Sequence, residues 1–520
     1  MTQPLFITAL CDPNLYANPA GGVELIETHI SWVILAGDYA FKIKKPVNFG
    51  FLDFSTLAQR RFFCDEELRL NRRFAPDIYL SVEAITGTPA APRWGGEGGP
   101  FDYAVKMRRF AQEARLDHML VERQLSEVHI DQLAVVVANF HRQAVLVSLD
   151  SEYGSPLAIQ TAALDNCSHI RPLLSEADDL SQLASLEAWT RRTGAELTDN
   201  FTVRRANGFV RECHGDLHLQ NIAWLADRAV LFDCIEFNPN FRWIDVMSDV
   251  AFLTMDLADR GRVDLARRFL NEYLQITDDF AGLAVLRFYQ AYRAMVRAKV
   301  ACLRLAQHAT ETVSGAQDRA EFRSYVNLAT KYAQTPAPSL ILTAGFSGSG
   351  KTTVARQLCA MADLILLRSD VERKRLYGYD AAARTGATIE SGIYAPAVTQ
   401  KTYQQLRQLA QTILAAGWSV VVDATFLQRE QREPFYRLAE QLSVPLHLLY
   451  CHAPPAVLRA RVQARQAERR DASEADLAVL DRQLDKRQEF DAWERHFVMD
   501  IDTAATLDVD SVLEKLSRRS

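Results

Sequence analysis

Hydrophobic and polar positions alternate differently in three parts of the chain. Over residues 1–110 the apolar residues come in short β-prone runs: "SWVILAG", "YAFKIKK", "IYLSVEAI" and "FDYAVKMRRF". Turn sequences such as "GD" and "GGEGGP" separate these runs, which predicts strands joined by tight turns. One helical pattern interrupts them, near Ser55 to Phe74. Over residues 111–333 the apolar residues recur at helical spacing, as in "IDQLAVVVANFHRQA" and "AVLRFYQAYRAMVRAKVACLRLAQ". After Pro336 and Pro338 the pattern changes again. "SLILTA", "LILL", "SVVVDAT", "PLHLLYC" and "HFVMDID" are apolar runs separated by helical stretches, the signature of a parallel sheet wrapped by helices. Proline disfavours helix at its own position and at the one before, so the seam falls at 334–338. The expected organisation is a small β-rich lobe (1–110), a helical lobe (111–333), a linker (334–338) and an α/β domain (339–520). The fold class is thus mixed: α+β in the first part and doubly layered α/β in the second.

Composition adds limits. The chain has 520 residues, 48% hydrophobic and 24% charged, ordinary for a globular protein. The longest apolar runs fall well short of the ~20 residues that cross a bilayer. The N-terminus lacks a basic segment followed by an apolar one, so no secretory signal and no membrane partner are expected. Eight scattered cysteines with no C-x-x-C pair point to a reducing cytoplasm rather than to zinc or a disulfide framework. Residues 337–520 carry 24 basic and 23 acidic side chains, and the whole chain has net charge -6. That balance argues against general nucleic-acid binding.

Two segments carry phosphate chemistry. In "ECHGDLHLQN", Asp216 precedes Asn221 by the D-x-x-x-x-N spacing of a kinase catalytic loop. The acid must reach a substrate hydroxyl while the amide turns back to a metal. Asp233 follows at the end of the apolar run "AVLF", where a second metal carboxylate is needed. In "GFSGSGKTT", Gly345, Gly350, Lys351 and Thr352 fit G-x-x-x-x-G-K-[ST] between a strand and a helix. Backbone amides of Ser347, Gly348, Ser349, Gly350 and Thr353 lie in the loop that would wrap the phosphates, with the helix N-terminus behind them.

The first segment resembles the aminoglycoside phosphotransferase family and its relatives of protein-kinase-like fold, over most of residues 1–333. The resemblance implies Asp216 as base, Asn221 and Asp233 as Mg²⁺ ligands, and His214 as a brace of the loop or a group at the substrate. It also implies a phosphate-binding lysine on "YAFKIKK", Lys42 with Lys44 as the alternative on the same face. Its ion-pair partner on the next helix would be Glu67 rather than Glu66. No G-x-G-x-x-G is present, and Thr28 to Ser31 is expected to cover the phosphates, with Ser31 in contact. The second segment, 337–520, resembles small P-loop kinases of the gluconate kinase, polynucleotide kinase and zeta-toxin type. That implies Asp370 as base or hydroxyl anchor, Arg373 at the substrate, Thr352 and Asp423 at Mg²⁺, and a lid arginine at the transition state. Arg465 is the choice, with Arg461 and Arg469 beside it. The alternative is a solvated charged helix for the arginines and a helix cap for Asp370.

Together these imply a tandem kinase that transfers the γ-phosphate of ATP to a hydroxyl of an unidentified small molecule, a sugar, polyol or nucleotide-linked metabolite. Two alternatives stay open. The P-loop half acts on a nucleic-acid end or a nucleotide sugar, or one half is a non-catalytic ATP-dependent regulator.

Overall fold

The structure, a computed structural model, describes residues 3–16, 22–50, 52–307, 313–380, 383, 395–468 and 476–518. Contacts divide it into two compact units. One is Met1–Asp256 with Tyr292–Phe322; the other is Leu257–Ala291 with Arg323–Ser520. The stretch Leu257–Ala291 thus groups with the C-terminal sheet, a grouping the prolines at 336 and 338 did not foretell.

The first unit opens with an antiparallel sheet. Its strands are β1 (Val23–Glu27), β2 (Ser31–Ala36), β3 (Tyr39–Lys44), β4 (Tyr79–Thr88), β5 (Ala91–Trp94) and β6 (Asp102–Arg108), in the order β1-β2-β3-β6-β4-β5. The alternation in β3 decides what each face does. Phe41 and Ile43 join Trp32, Ile34, Ile85 and Ala104 in one core cluster. Lys42 and Lys44, one residue out of step, occupy the opposite face because successive side chains in a strand alternate. The helix Leu57–Asn71 follows. It starts at a reciprocal cap, in which Thr56 and Gln59 each satisfy the other's backbone amide. Its Cys64 packs with Ala75, Ile78, Tyr79, Tyr103 and Val105.

Helices Glu127–Gln143, Pro156–Ile170 and Ala177–Glu196 lead to the short strands β7 (Val210–Glu212), β8 (Ile222–Leu225), β9 (Arg228–Leu231) and β10 (Trp243–Asp245). β7 pairs with β10 and β8 with β9, both antiparallel. The loop from β7 to β8 holds Asp216, and the turn after β9 holds Asp233.

The second unit contains β11 (Leu340–Ala344), β12 (Leu364–Arg368), β13 (Ser419–Asp423), β14 (Leu446–His452) and β15 (Val498–Asp502), all parallel, in the order β12-β13-β11-β14-β15. The five strands match the five apolar runs of the sequence. Ile341, Val421 and Leu449 from three strands pack on Val354, Leu358 and Cys359 of the helix Lys351–Met361. β12 is an edge strand, and its outer edge is met by one side chain. Asn271, on the helix Val263–Thr277, donates from Nδ2 to the Leu364 carbonyl at 3.1 Å and accepts at Oδ1 from the Leu366 amide at 2.7 Å. It thereby repeats the hydrogen bonding of a neighbouring strand.

Candidate active sites

In the first unit the two lysines of β3 meet one carboxylate. Lys42 Nζ lies 2.9 Å from Glu67 Oε1, and Lys44 Nζ 2.7 Å from Glu67 Oε2. Glu67 is fully buried, on the helix that packs across the strand. Beyond Glu67 the lysines diverge. Lys42 reaches Asp233 Oδ1 at 2.5 Å, while Lys44, with no exposed surface, bonds Glu236. Lys42 is therefore the lysine joined to the Asp233 turn, and Lys44 fixes Glu67 from behind. Glu66 turns to Arg69, at 2.9 Å, and to Arg242. Burial works against the charge on Lys42, but Asp233, Glu67 and Glu236 more than offset it and hold the ammonium well above its usual range. Burial likewise opposes ionisation of Glu67, yet the two lysines bring its carboxyl down to about 2.

The two residues of the D-x-x-x-x-N segment meet each other. Asn221 Nδ2 donates to Asp216 Oδ2 at 2.9 Å and to the Asp216 carbonyl at 3.0 Å. That leaves the Asn221 amide oxygen for another ligand. His218 Nε2 lies 3.3 Å from Asp216 Oδ2. Burial would raise the Asp216 carboxyl, but His218, Arg297 and His214 hold it well below the usual carboxylate range. Asp233 adopts φ +60°, the left-handed region that costs a non-glycine residue energy, and donates its amide to the Tyr79 hydroxyl at 3.0 Å. Asn221 and Asp233 offer oxygen donors only, the set that suits a hard divalent cation such as Mg²⁺.

His214 has no exposed surface. Its Nε2 faces the Phe232 carbonyl at 2.9 Å and its ring stacks on Phe74. Burial pushes its pKa down. The fully buried position suits a brace of the loop better than a group at the substrate. Between β1 and β2, Thr28 Oγ1 accepts from the Ser31 amide at 2.9 Å. Ser31 is buried, with an Oγ that has no hydrogen-bond partner among the described residues.

Two acids that hold this loop escaped the sequence reading. Asp249 accepts from the amides of His214 at 2.8 Å and Gly215 at 2.9 Å. Asp256 accepts from the Leu219 amide at 2.9 Å. Both are buried on the helix Val246–Asp259, seven residues apart and so on one face. Charged residues repeating at helical spacing inside the apolar stretch "VMSDVAFLTMDLAD" were the available signal. Gly215 has φ +85°, and a Cβ there would stand 2.4 Å from the Phe241 carbonyl oxygen, so the loop admits only glycine at this point.

In the second unit the loop after β11 turns into the helix Lys351–Met361 with Gly350 at φ +80°. Gly345 is held most tightly. At φ +143°, a Cβ on it would meet the Cys451 carbonyl oxygen at 2.2 Å. Thr352 Oγ1 donates to Asp423 Oδ2 at 2.6 Å, and Thr343 Oγ1 to Asp423 Oδ1 at 3.2 Å. The two groups expected at one cation are thus adjacent. Lys351 Nζ donates to the Phe346 carbonyl at 2.7 Å, and burial, only partly opposed by Asp423, lowers its pKa. Ser349 Oγ is buried with no hydrogen-bond partner among the described residues.

These groups line a cavity of about 1190 Å³. Ser347, Gly348, Gly350, Lys351, Thr352 and Thr353 form its floor; Asp370, Arg373, Asp423 and Arg465 also line it. Asp370 sits in the first turn of the helix Ser369–Arg375, 3.4 Å from Arg373 Nη1, and makes no cap. Arg461 is bound to Thr503, at 3.0 Å to Oγ1 and 2.7 Å to its carbonyl, and Thr503 in turn donates to the Ser349 carbonyl at 2.9 Å. Arg461 therefore ties β15 to the phosphate loop. Arg469 and Arg470 lie outside the described residues.

"Uncharacterized protein Rv2004c" of Mycobacterium tuberculosis (strain ATCC 25618 / H37Rv) is 31% identical over 466 residues, 89% of this chain and 90% of its own length. The chain belongs to its family. "Uncharacterized protein Mb2027c" of Mycobacterium bovis matches this family member to the same extent. The AAA domain family model matches residues 340–490, beginning at β11. Among solved structures, amicoumacin kinase hAmiN in complex with AMP-PNP, Ca2+ and Ami covers 62% of this chain and 93% of its own, at 14% identity and TM-score 0.39. A putative kinase from Chloroflexus aurantiacus covers 36% of this chain and all of its own, at 20% identity and TM-score 0.30. No helix among the described residues is long and apolar enough to cross a membrane.

Proposed function

We propose that the chain is an ATP-dependent phosphotransferase with two sites, one in each unit, acting on hydroxyl groups of small molecules. One observation carries the reading: each unit brings together a lysine, oxygen ligands for a cation and a carboxylate base. In the first unit these are Lys42, Asn221 with Asp233, and Asp216. In the second they are Lys351, Thr352 with Asp423, and Asp370. A divalent cation, Mg²⁺ by its oxygen ligands, would neutralise phosphate charge at both.

The chemistry is the same at each. The acceptor hydroxyl oxygen forms a bond to the γ-phosphorus, the bond from that phosphorus to the β–γ bridging oxygen breaks, and ADP leaves. The acceptor proton passes to Asp216 in one site and Asp370 in the other. Asp216 is held ionised by His218, so it is ready to accept the proton at neutral pH. Lys42, oriented by Glu67, pairs the phosphate oxygens. In the second unit the loop amides and Lys351 hold the phosphates, and Arg465 offsets the charge that develops in the transition state. His214 orients the first loop from behind and touches no substrate.

The test is calorimetry of the intact chain with Mg-AMP-PNP. Two nucleotides per chain are expected, and one in Lys351→Ala. A single site in the folded wild type sinks the two-site reading.

A further inference from the structure

The second cavity is more cationic than a nucleotide site requires, and its cations stand in two groups. Seven basic side chains line it, Lys351, Arg368, Arg373, Arg407, Arg461, Arg465 and Arg482, against three carboxylates. The sheet order separates them. β11, which feeds the phosphate loop, is central. Arg461, Arg465 and Arg482 follow β14, on one side of it, on the helices Pro455–Glu468 and Leu477–Lys486. Arg368 ends β12 and Arg373 follows it, on the other side, and Arg407 lies on the helix Pro396–Ala415, between β12 and β13 in the sequence. The first group, with Lys351, accounts for the nucleotide phosphates. The second stands beyond Asp370, where the acceptor hydroxyl must be.

Arg407 is the decisive member. It is half-buried, lines the cavity, and has no ion-pair or hydrogen-bond partner among the described residues. A guanidinium drawn partly out of water gains from an anion within reach of its fork of donors. It shares a helix face with Thr399, Gln400, Tyr403 and Gln404, which line the same cavity at spacings of three and four residues. Asp370 is already 3.4 Å from Arg373 and is needed as the base, and Asp423 lies 3.9 Å from Arg368.

We infer that the acceptor of the second site already carries an anionic oxygen group, a phosphate or a carboxylate, and that Arg407 with Arg373 binds it. This rests on the phosphotransferase reading of that site and adds the class of its substrate. A fork of N–H donors matches either group by two parallel hydrogen bonds. A neutral sugar or polyol leaves Arg407 unmatched, and a polycationic acceptor is repelled. The first unit, as a phosphotransferase, makes products of the required kind, so a phosphorylated compound from a preceding kinase step fits this pocket.

The experiment uses the full chain saturated with Mg-AMP-PNP, which occupies the phosphate loop. Inorganic phosphate and acetate are then titrated calorimetrically, with glycerol as the neutral control. One anion should bind saturably per second site, and glycerol should not. Arg407→Gln should weaken that binding about tenfold or more while AMP-PNP affinity stays unchanged, and Arg407→Lys should recover part of the loss. Phosphate retained by Arg373 alone would show as a smaller loss in Arg407→Gln, and Arg373→Gln should then remove the rest. If AMP-PNP itself does not bind, the phosphotransferase reading fails before the acceptor is tested. If AMP-PNP binds but neither anion does, or both arginine variants bind phosphate as the wild type does, the anionic acceptor is overturned.

Discussion

Glu67 offers the sharpest test of how the first site is built, because one carboxylate holds two lysines. Consider Glu67→Gln, which keeps the shape and removes the charge. Wild-type Glu67 is fully buried between Lys42 at 2.9 Å and Lys44 at 2.7 Å. The two ammoniums bring its carboxyl from 4.5 to about 2. At about 1.4 kcal/mol per tenfold, that corresponds to about 3 kcal/mol of stability carried by the charge. Removing one partner of a buried pair typically costs about 3–5 kcal/mol, so two routes give one size. The pH dependence follows from the sign. A carboxyl whose folded value lies below its unfolded one stabilises the fold above about 4.5 and loses that contribution as pH falls toward about 2. The wild type and the variant should therefore differ by about 3 kcal/mol at pH 7 and converge as the pH falls through that window. The assay is urea unfolding of the full chain at several pH values, following the first transition lost in the variant. A difference below about 1 kcal/mol at pH 7, or one that does not shrink in acid, would refute the shared-carboxylate account.

Three further outcomes are expected. Asp216→Asn should lower turnover at the first site by about 10²–10⁴-fold with nucleotide binding preserved, measured as phosphorylated product in a metabolite-extract assay; equal loss at the second site would mean the two are coupled. Arg465→Ala should lower second-site turnover by about 10²-fold or more with little change in ATP affinity, and Arg465→Lys should restore only part; unchanged kinetics would make this helix a solvated surface. Gly345→Ala should abolish nucleotide binding at the second site or destabilise the loop, since its methyl would collide with the Cys451 carbonyl oxygen; full nucleotide binding with wild-type thermal stability would contradict the geometry.

What could be read from the sequence follows the range over which each signal acts. Strands β11 to β15 and the phosphate loop were legible because alternation, glycine content and the strand-loop-helix order are local. Lys42 and Glu67 were legible as candidates, since a strand face and a helix turn limit the choice, but only the fold separates Lys42 from Lys44: one reaches Asp233, the other Glu236. Asp249 and Asp256 were missed because their partners are backbone amides more than thirty residues away, and nothing local distinguishes such acids from surface ones. The grouping of Leu257–Ala291 with the second sheet was hidden for the same reason. It rests on contacts such as Asn271 meeting β12 and Arg267 meeting Asp363, across more than ninety residues.

That asparagine has a consequence for any fragment of the chain. An exposed outer strand offers a row of unpaired amides and carbonyls to any other strand it encounters. Asn271 occupies part of that row, at the Leu364 carbonyl and the Leu366 amide. A polypeptide beginning at 339 carries all five strands but not Asn271, so its β12 edge stands open to its own copies. Such a fragment should self-associate edge to edge as its concentration rises, and the intact chain should not. The cap on the sheet is made by residues translated before the sheet itself, so it is in place when the last strands emerge.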